Sequence, residues 1–275
     1  MWKFDKVVFN KTHAQLPTAI KVGDSTIRLY FCTKLEKLSN IFFVDLDCFS
    51  LEIKSDVKLV LSPGVRGSFD QAGVMPSCIV NGYMYYTGWS LRNDVPYTHA
   101  IGMAKILPDG GLERIYDGPI LSVNRFDKFL VNSPCVIEAN DSWHMYYSSG
   151  TGWHENYPSY CIKKATSLNG INWFINSQKE ITFNLEDEAI SRVCYDSKMN
   201  TYYFSMRTKE TSYHIYYLEE GNKPKHLNMG TQDWDSKMQC YPFIYDDDGL
   251  RYMFYNGNGY GETGIGVAKW ITDIV

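Results

Sequence analysis

Only seven of the chain's 275 residues are cysteine, an odd number, and no two of them stand at a metal-ligand spacing such as Cys-x-x-Cys. That rules out a fully paired disulfide framework and the usual zinc pattern, and it agrees with a reducing compartment. No metal and no cofactor is expected. Basic runs are also missing. Lys and Arg total 27 against 31 Asp and Glu, for a formal charge of -4, which argues against nucleic acid as a partner. No apolar window approaches membrane-spanning length, and Met1-Trp-Lys-Phe-Asp5 lacks the apolar run of a secretory signal. A soluble, cytoplasmic protein is therefore expected. His99, His144, His154 and His214 are scattered and read as structural. The glycine-rich Asn256-Gly-Asn-Gly-Tyr-Gly261 precedes a strand rather than a helix, so it is no phosphate loop.

What the chain does have is a repeat. Gly73-Val-Met-Pro76-Ser-Cys-Ile-Val80, a turn at Asn81-Gly82, Tyr83-Met-Tyr-Tyr86 and Ala100-Ile-Gly-Met-Ala104 read as three successive strands, and the Asn-Gly pair is a strong hairpin signal. The same order recurs around residues 132–165, 189–218 and 238–269, and in a worn form around 13–44. Pro17, Pro76, Pro134 and Pro242 hold one position in four copies, and Val193 holds it in the other. The intervals, roughly 50 to 60 residues, are those of solenoids, propellers or arrays. Three clear strands and a weaker fourth per unit make the blade of a β-propeller, and no polar caps suggest an open solenoid. The reading is all-β: a five-bladed propeller of four-stranded antiparallel blades, one domain over residues 1–275. The last copy runs out after its third strand, so residues 2–9 are expected to supply its fourth and close the ring.

With 44% hydrophobic and 15% aromatic residues the chain can bury a large core. Its 21 tyrosines concentrate in the second strands, where they suit a half-buried pleated surface. Cys78, Cys135, Cys194 and Cys240 fall near one point in four first strands and read as buried filler close to the axis, with catalytic or metal-binding thiols the alternative.

In a propeller the first strands line the central channel, so the segments that enter them converge on one funnel. Asp70, Asp127, Glu188 and Asp235 come from four such segments, and His13 and Gln15 from the first. Each acid alone is as readily a turn cap, but together they form a candidate site. Arg192, inside a first strand, needs a carboxylate or an anionic ligand, and Arg207 ends the neighbouring second strand. Trp89, Trp153, Asn256, Asn258 and Tyr260 stand at other second-strand ends. Flat rings beside amides and glycines suit a sugar, and equally suit packing between blades.

This pattern resembles the five-bladed β-propeller glycosidases, the group of arabinanases, xylosidases, invertases and mannoside phosphorylases. The resemblance rests on Phe69-Asp-Gln-Ala-Gly-Val-Met-Pro-Ser77, Asn132-Ser-Pro-Cys-Val136, Glu188-Ala-Ile-Ser-Arg192, Gln239-Cys-Tyr-Pro242 and Tyr252-Met-Phe-Tyr-Asn-Gly-Asn-Gly-Tyr260. More closely, the chain resembles glycosidase-like propellers associated with bacterial surface-polysaccharide synthesis. The resemblance implies a carbohydrate-active enzyme without a metal, with Glu188 as general acid, Asp70 or His13 as base, and Asp235 tuning the acid. Arg192 orients the substrate and Asp187 is the reserve for Glu188, with Gln15, Asn132, Gln239 and the second-strand ends binding it. The hydrolases of the group draw a carboxylate from the first blade, where this chain has His13-Ala-Gln15. Two rivals stay open. One is a transferase or nucleotide-sugar enzyme in which Lys163, Arg192 and Arg207 meet phosphate; the other is a propeller that only binds glycans.

Overall fold

The computed structural model describes residues 1–10, 13–35, 37–139, 141–182, 189–207, 212–247 and 249–272. Strand β1 (Trp2–Phe9) comes first. The first repeat is β2 (Gln15–Lys21), β3 (Thr26–Leu35), β4 (Leu38–Asp47) and β5 (Lys58–Leu61). The second is β6 (Gly73–Val80), β7 (Tyr83–Leu91), β8 (Tyr97–Ile106) and β9 (Leu112–Arg114). The third is β10 (Val131–Ala139), β11 (Ser142–His154), β12 (Tyr157–Ser167) and β13 (Lys179–Ile181). The fourth is β14 (Ala189–Asp196), β15 (Thr201–Arg207), β16 (His214–Glu219) and β17 (Lys225–His226). The fifth is β18 (Cys240–Asp247), β19 (Leu250–Asn256), the single turn α1 (Asn258–Gly261) and β20 (Ile265–Trp270).

Each repeat is an antiparallel meander, and the fifth borrows its outer strand from the N-terminus. Trp2 lies opposite Trp270 and Phe9 opposite Ile265 in the antiparallel pair β1–β20. Repeats one and two, and three and four, are joined by one parallel residue pair each, Ser39 with Gly73 and Tyr160 with Ala189. The first strands touch in a cycle, β2 to β6 to β10 to β14 to β18 and back to β2. The Asn81-Gly82 hairpin is closed by two left-handed residues, φ 50° and 77°, as its tight turn requires.

A doublet of large aromatics in every second strand builds the core. Tyr30-Phe31, Tyr85-Tyr86, Tyr146-Tyr147, Tyr203-Phe204 and Phe254-Tyr255 are all buried. Because successive strand residues point to opposite faces, each doublet serves two cores. Tyr30 and Tyr86 meet between repeats one and two, Tyr85 and Tyr147 between two and three, and Tyr146 and Phe204 between three and four. Tyr203 and Tyr255 meet between four and five, and Phe254 and Phe31 between five and one. The tyrosine excess is thus mostly inter-sheet packing, each ring burying on the order of 150–250 Å².

Candidate functional site

The prolines at the shared position shape the centre. A proline cannot donate to a ladder, and in every first strand the register shifts beside it. Val193 takes the same place in the fourth repeat, where the shift also falls. The residue before it is left-handed in four of the five repeats: Leu16, Ser133, Arg192 and Tyr241, with φ between 50° and 59°. Such a conformation costs on the order of 1–3 kcal/mol at a non-glycine residue, and it collects where function needs a set geometry. The N–H groups freed here are taken by side chains that follow the aromatic doublets. Leu16 N donates to Asn256 Oδ1 at 2.9 Å, Ser133 N to Thr87 Oγ1 at 2.9 Å, and Tyr241 N to Ser205 Oγ at 2.7 Å.

A pocket of about 200 Å³ opens over these bulges. Leu16, Met75, Ser133, Ser191 and Tyr241 form its floor, one from each repeat, and Tyr97, His99, Asn132, Tyr157, Tyr160, Arg207, Tyr213 and Tyr260 are among its walls. Arg207 is 5% exposed. Its guanidinium lies over Tyr157 (4.5 Å to the ring centre) and near Tyr213 (5.5 Å), and Nη2 donates to Pro158 O at 2.8 Å. Its Nε has no partner, and neither has Oδ1 of buried Asn132. Asn132 Nδ2 lies 3.0 Å from His99 Nδ1, and the His99 ring stacks on Tyr97 at 4.7 Å. Burial pulls the His99 pKa down to about 3, so the ring is neutral near pH 7.

Beneath the floor, Arg192 crosses the axis. Nη1 donates to Pro76 O at 2.7 Å, and Nη2 to Pro17 O and Thr18 Oγ1, both at 2.8 Å. The carboxylate partner expected from the sequence is replaced by neutral oxygens of the first and second repeats, so Arg192 ties three repeats together rather than reaching a ligand. Burial lowers its pKa from the usual value. The thiols of Cys32, Cys78, Cys135 and Cys194 lie around it, each pushed up to about 12 by burial and therefore neutral. Cys78 and Cys194 do more than fill space: each sulfur accepts the N–H of the next repeat, from Val136 at 3.3 Å and Ile244 at 3.4 Å. Cys240 does not share their position. It sits before its bulge, opposite Asn256, and Phe243 faces the doublet instead.

The three described candidate acids do not converge on the pocket. Asp70 accepts from Tyr86 Oη at 3.1 Å, Asp127 from Tyr147 Oη at 3.0 Å and Asp235 from Tyr255 Oη at 2.9 Å. Asp70 also holds Arg114 at 2.8 Å, Asp127 holds Lys163 at 2.8 Å, and Asp235 holds Gln239 at 2.7 Å. All three acids are at most 1% exposed. One recurring acid–tyrosine pair therefore accounts for three of the four candidate acids, and it takes up the lone pairs that a base or an acid-tuning group needs. Phe31 replaces the tyrosine in the first repeat, where no acid was found; Phe204 replaces it in the fourth. Asp187 and Glu188 lie outside the described residues. No carboxylate is among the described residues that line the pocket.

Several binding candidates have structural work. Lys163 Nζ is spent on Asp127 and on Phe126 O at 2.6 Å. Gln239 also donates to Gly230 O at 2.9 Å, and Asn258 Oδ1 accepts from Lys237 N and Met238 N. Asn256 donates to Ala14 O at 2.7 Å and Gly264 O at 2.9 Å. His13 is exposed on a turn and does not line the pocket. Gln15 donates to Tyr260 O at 2.6 Å and so sets a pocket wall. Trp89 and Trp153 stand edge-on to Tyr97 at 6.5 and 5.2 Å and buttress it from behind. Trp89 covers Gly73, where a Cβ would lie 1.9 Å from Nε1. Of the sequence candidates, Asn132, Arg207 and Tyr260 line the pocket. Tyr97, His99, Tyr157 and Tyr160 were missed. They begin third strands, and antiparallel pairing sets those starts opposite second-strand ends, as with His99 and Trp89 or Tyr157 and His154. Hairpin register applied to those ends finds them.

Among the described residues no cluster of His, Cys, Asp and Glu is placed to hold a metal ion, and no helix is long and apolar enough to cross a membrane. In overall structure the chain is similar to BT0996 in its RGII complex (TM-score 0.73, 14% identity, covering 99% of this chain and 92% of that one). It is also similar to an α-L-arabinofuranosidase of Clostridium thermocellum (0.61, 15%, 96% and 92%) and to a Penicillium chrysogenum α-L-arabinanase complexed with arabinobiose (0.56, 11%, 98% and 98%). The fold is thus all-β and propeller-like, of the kind these glycoside hydrolases have. No family model matches the chain. Two Mycobacterium tuberculosis proteins, the uncharacterized proteins MT1551 and Rv1502, are each 30% identical to it over 278 aligned residues, covering 94% of this chain and 93% of theirs. At that identity over nearly the full length of both chains, this protein belongs to the same family as Rv1502 and MT1551.

Proposed function

We propose that the chain is a carbohydrate-active propeller of five four-stranded blades, one per repeat, that holds a glycoside or activated sugar in its axial pocket. The cycle of first strands, the five inter-sheet cores and the pairing of β1 with β20 support that blade count. The observation that carries the sugar reading is the pocket lining. Six tyrosines surround two buried polar atoms with no partner, Asn132 Oδ1 and Arg207 Nε. Flat rings offer apolar faces to a pyranose or furanose, and the open polar atoms suit its hydroxyls. The likeness to glycoside hydrolases, one of them complexed with arabinobiose, supports the same ligand class.

Glu188 is the general acid in this reading, with Asp187 in reserve. The fourth repeat keeps acids in the segment before its first strand, yet Phe204 has no hydroxyl to pair with them. The tyrosine pairing that occupies Asp70, Asp127 and Asp235 therefore does not claim these two acids. Hydrolysis by two carboxylates lacks its second acid in this arrangement. Transfer from an activated sugar, in the cytoplasmic assembly of a surface polysaccharide, is the reading that Arg207 favours.

A screen of aryl glycosides and nucleotide sugars, scored by turnover and by thermal shift, tests this proposal. At least one sugar should raise the melting temperature, and Glu188→Gln should lower turnover on the order of 10²-fold while sparing affinity. If no sugar stabilises the protein, the sugar reading falls. Full turnover in both Glu188→Gln and Asp187→Asn would move the acid elsewhere.

A further inference from the structure

Building on the sugar-pocket reading, we propose that the ligand carries an oxyanion, a carboxylate or a phosphate on the sugar, and that Arg207 receives it. Among the described residues, charge in and under the pocket is one-sided. Arg207 stands in the wall, and Arg192 lies beneath the floor with only neutral acceptors. The buried cation Lys163 is already balanced by Asp127, and the half-buried Arg114 by Asp70. No described residue brings a carboxylate to Arg207. In a site of low dielectric, two guanidinium groups without a carboxylate among the described residues favour a negative ligand far more than they would in water.

The geometry of Arg207 specifies the contact. Its plane is clamped by Tyr157, Tyr213 and the Pro158 carbonyl, so little side-chain entropy remains to be lost on binding. The unpartnered Nε–H is one of the donors with which a guanidinium grips a carboxylate or phosphate. An arginine 5% exposed with a donor that no described residue meets is suited to a partner from the ligand. Asn132 Oδ1 in the same pocket accepts, and therefore suits a hydroxyl of the same ligand. One donor for an anion and one acceptor for a hydroxyl describe a sugar acid or a sugar phosphate. The pocket, about 200 Å³, is smaller than the roughly 300 Å³ lower range of drug-sized sites, which points to a terminal sugar unit.

Isothermal titration calorimetry with matched probes tests this: galacturonate against galactose, glucose 1-phosphate against glucose, and inorganic phosphate alone. One charged sugar should bind about tenfold or more tightly than its neutral counterpart, and the preference should shrink in raised salt. Which pair shows it separates carboxylate from phosphate. Arg207→Gln should erase the preference. Because that change also removes the bond to Pro158, Asn132→Asp provides a second variant that leaves Arg207 intact; it should weaken the charged probe more than the neutral one and so shrink the preference. Neutral sugars binding as well as charged ones would overturn the oxyanion and leave the sugar pocket standing. Phosphate binding with no sugar binding would sustain the oxyanion and remove the sugar reading. A preference that survives Arg207→Gln in folded protein, or no binding by any charged probe, would overturn the inference.

Discussion

The backbone N–H of Leu16 donates to Oδ1 of Asn256 at 2.9 Å, joining the first strand of the first repeat to the end of a second strand 240 residues later. Nδ2 of the same amide donates to Ala14 O and Gly264 O. One fully buried side chain thus satisfies three backbone groups where the two ends of the chain meet. Asn256→Leu leaves all three without partners, each worth about 1–3 kcal/mol. Partial relaxation should bring the net loss to about 2–4 kcal/mol. The urea midpoint should fall accordingly, and an unchanged midpoint would show that this junction does not hold the ends together.

Arg192 acts across the axis in the same way, but with a charge. Arg192→Met removes a buried cation, which favours the folded state, and strands Pro17 O, Pro76 O and Thr18 Oγ1, which opposes it. Losing one partner of a buried set is the costlier effect, so a net destabilisation of about 2–4 kcal/mol is expected by chemical denaturation. Arg192→Lys keeps the charge and loses the fork, so it should fall between the two. Stability equal to the parent in Arg192→Met would mean that the three oxygens find water or other donors.

The repeat, its strands and the borrowing of residues 2–9 were legible because they rest on alternation, turn chemistry and a fixed proline position. The site was less so, since the same residues admit two employments that differ only in side-chain direction. Asp70 and Asp235 sit where a funnel acid would sit, and a tyrosine on the adjoining second strand claims them. That tyrosine is present in the sequence as the second member of three of the five doublets. Its presence is the signal that marks an acid as structural. Arg192 demanded a partner, and no local pattern around it reveals that carbonyls from two other repeats meet it.

Asp127 and Lys163 allow the structural employment to be tested by itself. Both are buried, and Asp127 also accepts from Tyr147 and Ser149. Asp127→Asn leaves the Lys163 ammonium buried without its counter-charge, a loss of about 3–5 kcal/mol. Lys163→Met alone strands the carboxylate in the same way. The double variant should recover part of the loss, because the remaining desolvation cost disappears with the second charge. Ligand affinity should be unaltered in whatever fraction stays folded. A double variant no more stable than the sum of the singles would mean that the two charges do not depend on each other.

His99 should give the fold a pH dependence of its own. Its folded pKa is depressed by burial to about 3, against about 6.5 for an unfolded histidine. Between those values the unfolded chain binds a proton that the folded chain refuses, so acid favours unfolding. The stabilising effect of a neutral His99 is fully present above pH about 6.5 and is lost progressively as the pH falls toward 3, by at most about 1.4 kcal/mol per unit. His99 lines an open pocket, so water should hold the slope below that ceiling. Carboxylates titrate in the lower half of this window, which makes the comparison with a variant decisive. His99→Gln keeps a hydrogen-bonding side chain beside Asn132 and cannot titrate. Urea midpoints measured from pH 7 to 4.5 should fall less steeply in His99→Gln than in the parent. Parallel slopes would mean that the imidazole protonates in the folded pocket at its ordinary pKa.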